Sequence, residues 1–537
     1  MKNCLNVIIS RQWFRMRPLT LCVLAVILFI DIASVVSDDQ LDRYSDLHQK
    51  YFQMSHLQRQ ECSNNKCSSE YKKLSKKQPC WGYEKHCRKR NYYSYPICPE
   101  DSRGWEHTKE KQIDKFWRSA DFGMIREFRD EMMHLCKADE EGDSTLDCNQ
   151  HMRYCRATNL YMNLKNSRMA DSRERFRTDV FKKGEIGGHC QLDGQRLKNS
   201  DKQKGELQSW HSELRPFTSL KFKPVIDRHH CDVIVERPTY FMKLDAGINM
   251  FHHFCDFVNL YVTQHVNGSF TTDINIVMWD TSSMNYGDFF TLTWKAFSRH
   301  PVKRLSDYDN KRVCFKDAIF TLPPRMFYGL YYNMPLIPGC YNSGLMKAFS
   351  EHVVHRLNIT SKPYDPNRYR ITLLSRSTKY RRILNEDKLI GALKTIWNYD
   401  VTRVDYTYQM PFEKQLEITH NSDIFIGMHG SGLTHMLFQP HWGVAFELYN
   451  CEDEGCYYDL ARLRGVKYLT WEKKKYLIQQ DEGHHPTLGA HAKFTNYAFN
   501  IGEFLRMIEK GVKHVAANRP KISADNSVED SSIKTEL

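Results

Sequence analysis

Two segments of the chain carry residue types suited to binding a phosphate-bearing leaving group. The first is an apolar run that ends in Arg376 and is followed by Arg381, Arg382 and Asn385. The second is the apolar run SDIFIG, which breaks into a glycine turn at Gly430, Ser431 and Gly432. Glycines let backbone N–H groups at a helix start approach a negative charge, and arginines supply a permanent, often bidentate counter-charge. Together the two segments predict a site for a nucleotide diphosphate.

A second group of polar residues has helical spacing. Asn249, His252 and Asp256 are placed at i, i+3 and i+7 among phenylalanines, so a helix would bring them to one face. A carboxylate or imidazole in such a partly buried place can act as a general base. The alternatives are a structural role for the same side chains, or a metal site that adds His253.

The elements that must position these residues alternate between strand and helix. RYRITLLS, VTRVDYTY, SDIFIG and WGVAFELYN are strand-like, and NEDKLIGALKTIW follows the first of them as a helix that Asn385 can cap. This pattern predicts a doubly wound α/β domain, in which ligands bind at the carboxyl ends of the strands. The loops after Ser375 and Gly427 fall at those ends. The sheet and the arginine–glycine segments therefore point to the same place.

Changes in composition predict five parts of the chain. A signal peptide (1–37) precedes a disulfide-rich, irregular region with some helix (38–221), which acts as a covering region. An N-terminal α/β lobe that carries the candidate base (222–345) and a C-terminal α/β lobe that carries the arginine and glycine segments (346–515) follow. A flexible polar tail (516–537) ends the chain.

Both ends of the chain indicate the secretory pathway. Three arginines precede the apolar run Leu19–Ile30, which is shorter than the roughly 20 residues that span a bilayer, and small residues precede Asp38. An uncleaved anchor is the alternative to a cleaved leader. The last four residues resemble the retrieval signal KDEL, with threonine in place of aspartate: Lys534, Thr535, Glu536 and Leu537. The pair predicts residence in the lumen of the endoplasmic reticulum, bound by its retrieval receptor, with no stable membrane span.

Cysteines and glycosylation sequons agree with that compartment. Of 17 cysteines, two lie in the leader, and the odd number that remains predicts at least one free thiol among disulfides. Their spacings are not CxxC pairs, so a zinc site is not expected. The sequons at Asn267 and Asn358 predict N-glycosylation.

Two other classes of function are excluded by what the sequence lacks. The net charge of +13 is not accompanied by a zinc-finger spacing or a basic-aromatic repeat, so a basic cleft for an anionic ligand explains it better than nucleic acid. GMHGSGL does not match G-x-S-x-G, which argues against a serine hydrolase.

Four segments carry a resemblance to a known family: NMFHHFCDF, LLSRSTKYRRILNE, GMHGSGLTHMLF and FELYNCEDEGCYYDLARLRGVKYLTW. They resemble glycosyltransferase family 61, and the likeness is densest from Cys231 to Trp471. It implies a two-lobed, Rossmann-like (GT-B-like) enzyme with inversion at the anomeric carbon, in which the 222–345 lobe presents the acceptor side and the 346–515 lobe binds the donor. It further implies transfer of GlcNAc from UDP-GlcNAc to Ser or Thr of folded EGF-like domains, in extracellular proteins such as Notch. The family's N-x-x-H-x-x-x-D pattern falls on Asn249, His252 and Asp256.

The resemblance gives each candidate residue an expected role. Asp256 is the expected base, with His252 as its rival, because one carboxylate beside the attacking oxygen suffices. Arg376 and Arg381 are expected to neutralise the diphosphate in place of a metal ion, and Glu447 to bind ribose or sugar hydroxyls. No cofactor is required, although the D-x-D pair Asp307 and Asp309 leaves Mn²⁺ stimulation open. The competing hypotheses are an inactive luminal EGF-binding relative with a chaperone-like role, and a family member that uses another UDP-sugar or an O-mannose acceptor.

Overall fold

The computed structural model describes residues 44–62, 67–99, 105–200, 205–284, 288–326, 329 and 338–520. The predicted leader and the tail Lys534–Leu537 lie outside these residues. No helix in the described ranges is long and apolar enough to cross a membrane.

The larger of two main sheets is mixed, and its central strands β3 and β11 pair antiparallel from Cys155–Phe320 to Asn163–Arg312. Its path runs β10-β9-β8-β11-β3-β2-β1-β5, with β7 beside β11 and with β4 and β6 branching from β3. The strands are β1 Met133–Lys137, β2 Thr145–Cys148, β3 Cys155–Asn163, β4 Ile186–Gly188, β5 Gln191–Leu192, β6 Thr218–Ser219, β7 Val233–Val235, β8 Thr239–Met242, β9 Asn275–Met278, β10 Lys303–Arg304 and β11 Arg312–Phe320.

This sheet crosses the predicted boundary between residues 221 and 222. Strands from both sides of that position share one set of hydrogen bonds and one apolar core. The 38–221 region is therefore part of the first lobe, and not a separate covering region.

Eight helices of the described chain precede the second sheet. The helix α7 begins at Met250, directly after Asn249, and carries the candidate base residues. The helices are α1 Asp46–Cys62, α2 Ser69–Leu74, α3 Lys109–Ala120, α4 Phe122–Asp130, α5 Gly194–Asn199, α6 His211–Leu214, α7 Met250–Asn267 and α8 Gly344–Arg356.

The second sheet is entirely parallel, in the order β13-β12-β14-β15-β16, which confirms the predicted strand–helix alternation. Its strands are β12 Tyr369–Leu374, β13 Tyr399–Val404, β14 Ile424–Gly427, β15 Val444–Glu447 and β16 Lys467–Thr470. The helices around it are α9 Glu386–Lys394, α10 Phe412–His420, α11 Cys456–Arg464 and α12 Ile501–Asn518. Two small ladders complete the fold: β17 Leu477–Gln479 with β20 Tyr497–Phe499, and β18 His484–His485 with β19 Gly489–Ala490.

The helix α12 extends past the predicted start of the tail at residue 516. It continues to Asn518, and Arg519 then forms an ion pair with the buried Asp423 at 3.4 Å. Arg519 also donates to two backbone carbonyls, so the chain is held in place at this residue.

Disulfides lie in the first lobe, as the cysteine count predicts; two close loops of seven residues and three join more distant segments. The bonds with both partners in the described ranges are Cys80–Cys87, Cys98–Cys340, Cys136–Cys190, Cys148–Cys155 and Cys231–Cys314. The prediction of a free thiol is confirmed, because Cys255, Cys451 and Cys456 are unbonded.

Candidate active site

The arginine and glycine segments meet where the parallel sheet changes direction. The chain builds β13 on one side of β12 and then returns to build β14, β15 and β16 on the other side. In open α/β sheets this switch point opens a crevice at the carboxyl ends of the strands, where ligands bind. Arg376 follows the end of β12, and Gly430 follows the end of β14. The topology therefore places both predicted segments at the mouth of one crevice.

Arg376 and Arg381 converge on Gly430. The Arg376 Nε donates to the Tyr380 carbonyl at 2.9 Å, and the Arg381 Nη1 donates to the His429 carbonyl at 3.0 Å. A Cβ built on Gly430 would lie 2.8 Å from the Arg376 Nη1 and 3.5 Å from the Arg381 Nη1. Both guanidinium groups are thus fixed against the backbone at one point.

Neither guanidinium group forms an ion pair with a carboxylate among the described residues, although the charge of Asp405 acts on Arg376 from further away. The buried Arg381 Nε has no hydrogen-bond partner within those ranges. Burial, and then the neighbouring charge of Arg381, lowers the pKa of Arg376 to about 10. Two adjacent cations are costly to hold together in a half-buried place. An anion bound between them would remove this cost, and a diphosphate has the required charge.

The glycine turn supplies space and backbone donors to the same crevice. Gly430 has φ 156° and ψ 164°, a conformation that is essentially restricted to glycine. A 3₁₀ helix, Ser431–Phe438, begins directly after it, and the first N–H groups of a helix have no partner inside the helix. A Cβ on Gly432 would lie 2.7 Å from the Leu374 side chain. The turn therefore packs closely against β12.

Glu447 does not have the sugar-binding geometry expected from the sequence. Its side chain is 1% exposed, accepts from the His429 Nδ1 at 2.8 Å, and also accepts from the Tyr468 hydroxyl. Both carboxylate oxygens are therefore occupied inside the protein. Glu447 instead holds His429, whose backbone carbonyl receives Arg381. Sequence reasoning missed His429, although it stands between two glycines in the motif itself.

Two other predicted donor ligands lie outside the arginine pair. Arg382 is exposed, and its backbone N–H donates to the Asn496 side chain at 2.9 Å. Asn385 occupies the cap position of α9 but makes no capping bond. Its amide is hydrogen-bonded in both directions to the backbone of Phe499, at 2.8 and 3.0 Å, which ties α9 to β20. These contacts are structural.

Asn249 and His252 mark the start of α7. Asn249 is the N-cap, since its side chain accepts from the Phe251 N–H at 3.0 Å. His252 is 27% exposed and places its Nδ1 2.7 Å from the Asp245 Oδ2. Arg325 contacts the other oxygen of Asp245 at 2.8 Å. Burial raises the pKa of Asp245, but the hydrogen bonds from His252 and Arg325 outweigh it and hold that pKa below its usual range.

Asp256, the base preferred from the sequence, is shut off from solvent. It is 1% exposed and lies 3.1 Å from the Nδ1 of His253, whose Nε2 is 3.1 Å from Asp288. Burial raises the pKa of Asp256 to about 6, with a partial offset from the His253 hydrogen bond. Burial lowers the pKa of His253, but the two carboxylates outweigh it and raise that pKa to about 9. Asp256 therefore belongs to a buried carboxylate–imidazolium–carboxylate chain, and the expectation that it meets an acceptor hydroxyl does not fit this burial.

Aromatic contacts bring the two groups of polar residues together. The ring of Phe251, which precedes His252, lies 5.7 Å from the ring of Tyr457. Tyr457 in turn lies 5.2 Å from the imidazole of His429. One turn further along α7, Phe254 packs at 5.5 Å against Phe438, the last residue of the 3₁₀ helix. The exposed end of α7 is therefore packed against the crevice that holds the arginines.

The carboxylates suggested as metal ligands are used locally. Asp307 accepts from the Arg304 N–H at 3.0 Å, and Asp309 accepts from the Ser167 hydroxyl at 2.6 Å. Both lie next to the first sheet, between β10 and β11. In the described ranges, the group with metal-ligand geometry is Cys80, Glu84 and Cys87, but its two cysteines are joined by a disulfide.

A cavity of about 220 Å³ lies at the opposite edge of the parallel sheet, near the start of β12 and β15. Two charged pairs line it: Arg370 with Asp423 at 2.9 Å, and His441 with Glu351 at 2.9 Å. Arg464 also lines it and donates to the backbone carbonyls of Leu437 and Gln439, so the cavity has a single buried arginine where the crevice at Gly430 has two adjacent ones.

The two sequons differ in accessibility. Asn358 is exposed just after α8. Asn267 is 3% exposed, and its amide bonds the hydroxyls of Tyr154 and Tyr240 at 3.1 and 2.9 Å. A glycan on that nitrogen would displace these contacts, so Asn358 is the more accessible of the two sequons and glycosylation at either stays a prediction.

Comparison with known proteins finds similar sequences that include the segments of this site. The family described as Glycosyltransferase 61 matches residues 250–445, which include α7, the arginines and the glycine turn. The EGF domain-specific O-linked N-acetylglucosamine transferase of Gallus gallus is 56% identical over 447 residues, covering 83% of each chain. The Xenopus laevis protein of that name is 57% identical over 81% of this chain and 83% of its own. The Drosophila melanogaster protein is 47% identical over 83% and 86%.

Among solved structures, the heptosyltransferase TibC matches with a TM-score of 0.23 and 10% identity over 52% of this chain and 78% of that one, which is too weak to carry an argument. The identities to the relatives in vertebrates and the fly extend over most of both chains. The chain therefore belongs to glycosyltransferase family 61, in the group of the EGF domain-specific O-linked N-acetylglucosamine transferases.

Proposed function

We propose that this chain is an inverting transferase that moves GlcNAc from UDP-GlcNAc to Ser or Thr hydroxyls of folded EGF-like domains. The observation that carries the proposal is the pair Arg376 and Arg381, which converge on Gly430 at the switch point without an ion-pair partner among the described residues. The identity of 47% to the fly protein and 56% to the chicken protein supports the same activity.

The parallel sheet would bind the donor, and the mixed sheet would present the acceptor, as in a two-lobed GT-B-like enzyme. Arg376 and Arg381 would each donate to the diphosphate, together with N–H groups at the start of the 3₁₀ helix. A hydrogen bond to a charged group contributes about 1.5–3 kcal/mol. Two such arginines supply charge stabilisation of the kind that a metal ion provides in other transferases.

His252 is the better candidate for the base. The acceptor oxygen attacks the anomeric carbon while its proton passes to the Nε2 of His252. The bond from that carbon to the diphosphate oxygen breaks, and its electron pair leaves with UDP between the two arginines. Attack from the face opposite to the leaving group inverts the configuration. Asp245 holds the Nδ1–H of His252 and stabilises the imidazolium that forms.

Asp256 would act through Asp245. The Asp245 N–H lies 3.4 Å from the Asp256 Oδ1, so the buried chain of Asp288, His253 and Asp256 supports the loop that carries Asp245. Asp256 is therefore a positioning residue in this mechanism.

The compartment proposed is the lumen of the endoplasmic reticulum. The disulfides of the described chain fit an oxidising compartment. The apolar leader and the ending KTEL supply entry and binding to the retrieval receptor. EGF repeats of extracellular proteins of the Notch type pass through this lumen as acceptors.

The test is transfer to one folded EGF repeat by the secreted chain, with UDP-GlcNAc and EDTA, read as the mass of the repeat. A gain of one N-acetylhexosamine is expected. If the repeat gains this mass only when Mn²⁺ replaces EDTA, Asp307 and Asp309 become the candidate metal ligands. No gain in either case, with the repeat still bound, would favour the inactive EGF-binding relative. Parallel reactions with UDP-xylose as donor, or with an O-mannosylated peptide as acceptor, test whether the chain is a family member that uses another UDP-sugar or an O-mannose acceptor.

A further inference from the structure

Two large apolar side chains are exposed beside the start of α7. Ile248 is 58% exposed and Phe289 is 61% exposed. The Phe289 N–H donates to the carbonyl of Gly247, the residue before Ile248, at 3.3 Å. The two side chains are therefore carried by loops that are hydrogen-bonded to one another.

Both loops are held firmly from the protein side. Asp288, next to Phe289, bonds the buried His253 at 3.1 Å and the Trp294 indole N–H at 2.7 Å. Phe290, on the other side, is buried. Ile248 precedes the N-cap of α7 and follows the buried Gly247. The exposure of Ile248 and Phe289 is thus imposed by a fixed backbone.

The position of this pair relates it to the acceptor. Ile248 lies four residues before His252 in the chain and directly before Asn249, the N-cap of the helix that carries the proposed base. An acceptor that presents its hydroxyl to His252 approaches this end of α7, where Ile248 lies. A second copy of this chain bound here would block access of the acceptor to His252. An acceptor domain bound here would instead cover Ile248 and Phe289 while its hydroxyl reaches His252.

We propose that Ile248 and Phe289 form a docking surface for an apolar patch next to the acceptor hydroxyl of a folded EGF-like domain. The surface would make the enzyme recognise the folded domain in addition to its Ser or Thr. The inference rests on the proposed function for its partner. Aromatic and branched apolar residues at the centre of an interface commonly provide most of its affinity.

The experiment compares Phe289→Ser, Ile248→Ser and the double variant with wild type. The matched control is Trp397→Ser, because Trp397 is 75% exposed but lies before β13, at the amino ends of the parallel strands. The readouts are equilibrium binding of a folded EGF repeat by biolayer interferometry, and kcat and KM for transfer to it. Phe289→Leu keeps an apolar side chain and serves as the rescue variant.

Each serine variant is expected to weaken binding and raise KM about tenfold, with kcat at saturating repeat retained, because about 1.4 kcal/mol corresponds to tenfold. Trp397→Ser and Phe289→Leu are expected to match wild type. If binding and KM are unchanged in the double variant, the proposed docking surface is wrong. If the wild type binds the repeat but transfers nothing, and the serine variants bind it more weakly, the docking surface stands and the proposed function is wrong.

Discussion

The ring of Phe251 lies 5.7 Å from the ring of Tyr457, and this contact joins the helix of the proposed base to the lobe of the arginines. Tyr457 also contacts His429, whose carbonyl receives the Arg381 side chain. The residues proposed to remove the proton and to stabilise the leaving group are therefore held relative to one another by these aromatic contacts. A fixed geometry of this kind lowers the reorganisation needed during reaction.

Arg376→Gln is expected to weaken UDP binding about 10- to 100-fold, because one charge-assisted hydrogen bond contributes about 1.5–3 kcal/mol. Calorimetric titration with UDP measures the change. Arg382→Gln is the matched control, since Arg382 is exposed and interacts through its backbone. Equal losses in the two variants would show a general charge effect and contradict the specific role of Arg376.

Gly430→Ala is expected to reduce UDP affinity and stability together. The backbone conformation costs an ordinary residue about 1–3 kcal/mol, and the added Cβ would lie 2.8 Å from the Arg376 Nη1. Gly391→Ala is the control, because nothing lies within 4 Å of its Cβ position inside α9. That change is expected to stabilise the protein by about 0.5–1 kcal/mol. Thermal melting with and without UDP measures both effects, and equal affinities in the two variants would contradict the proposed crowding at Gly430.

His252→Gln is expected to lower kcat about 10²- to 10⁴-fold, since this is the range contributed by a general base. UDP affinity should stay unchanged. Asp256→Asn should lower the melting temperature, with a smaller effect on kcat of the folded fraction. Initial rates at saturating donor and acceptor measure the difference. If Asp256→Asn abolished turnover in folded protein while His252→Gln remained active, the base would be Asp256.

The local signals of the donor site could be predicted from sequence because each depends on a few neighbouring residues. A strand that ends in Arg376 and a turn at Gly430 are visible without knowledge of the rest of the fold. The burial of Asp256 was not predictable from helical spacing. That spacing assumes one buried face, but all residues of α7 from His253 to Asn267 are buried. The polarity of one helix does not reveal that its other faces are covered by the rest of the protein.

Long-range pairing was also hidden from the sequence. The strand β3 has no long apolar run, and its partner β11 lies about 150 residues later, so nothing local indicates that residues before 222 complete the first sheet. Glu447 was correctly expected near the end of a strand, but its pairing with His429 depends on two strands lying side by side.

Asn358→Gln is expected to remove one N-glycan from the secreted protein, whereas Asn267→Gln should leave the glycan mass unchanged. The reason is the burial of Asn267 between two tyrosine hydroxyls. Intact mass before and after enzymatic deglycosylation measures the difference. A glycan found on Asn267 in folded, active protein would contradict this packing.

His253 is expected to make stability depend on pH. Burial lowers its pKa in the folded protein, but the hydrogen bonds that His253 donates to Asp256 and Asp288 outweigh burial and raise it to about 9. The unfolded value is about 6.5. A raised pKa means that the folded state binds the proton more tightly, so this stabilisation is fully present below about pH 6.5 and is lost as pH rises through about 9. The loss is on the order of 3 kcal/mol, because one pKa unit corresponds to about 1.4 kcal/mol.

Urea unfolding at several pH values across this window measures the loss in wild type. His253→Gln should be less stable at low pH and should show a smaller fall in stability as pH rises. His134→Gln is the control, because His134 is 65% exposed although it pairs with Asp147 at 2.6 Å. Exposed pairs contribute little, so this variant should follow the wild-type pH dependence. An unchanged pH dependence in His253→Gln would mean that the buried chain does not carry the extra proton, and that Asp245 is positioned by other contacts.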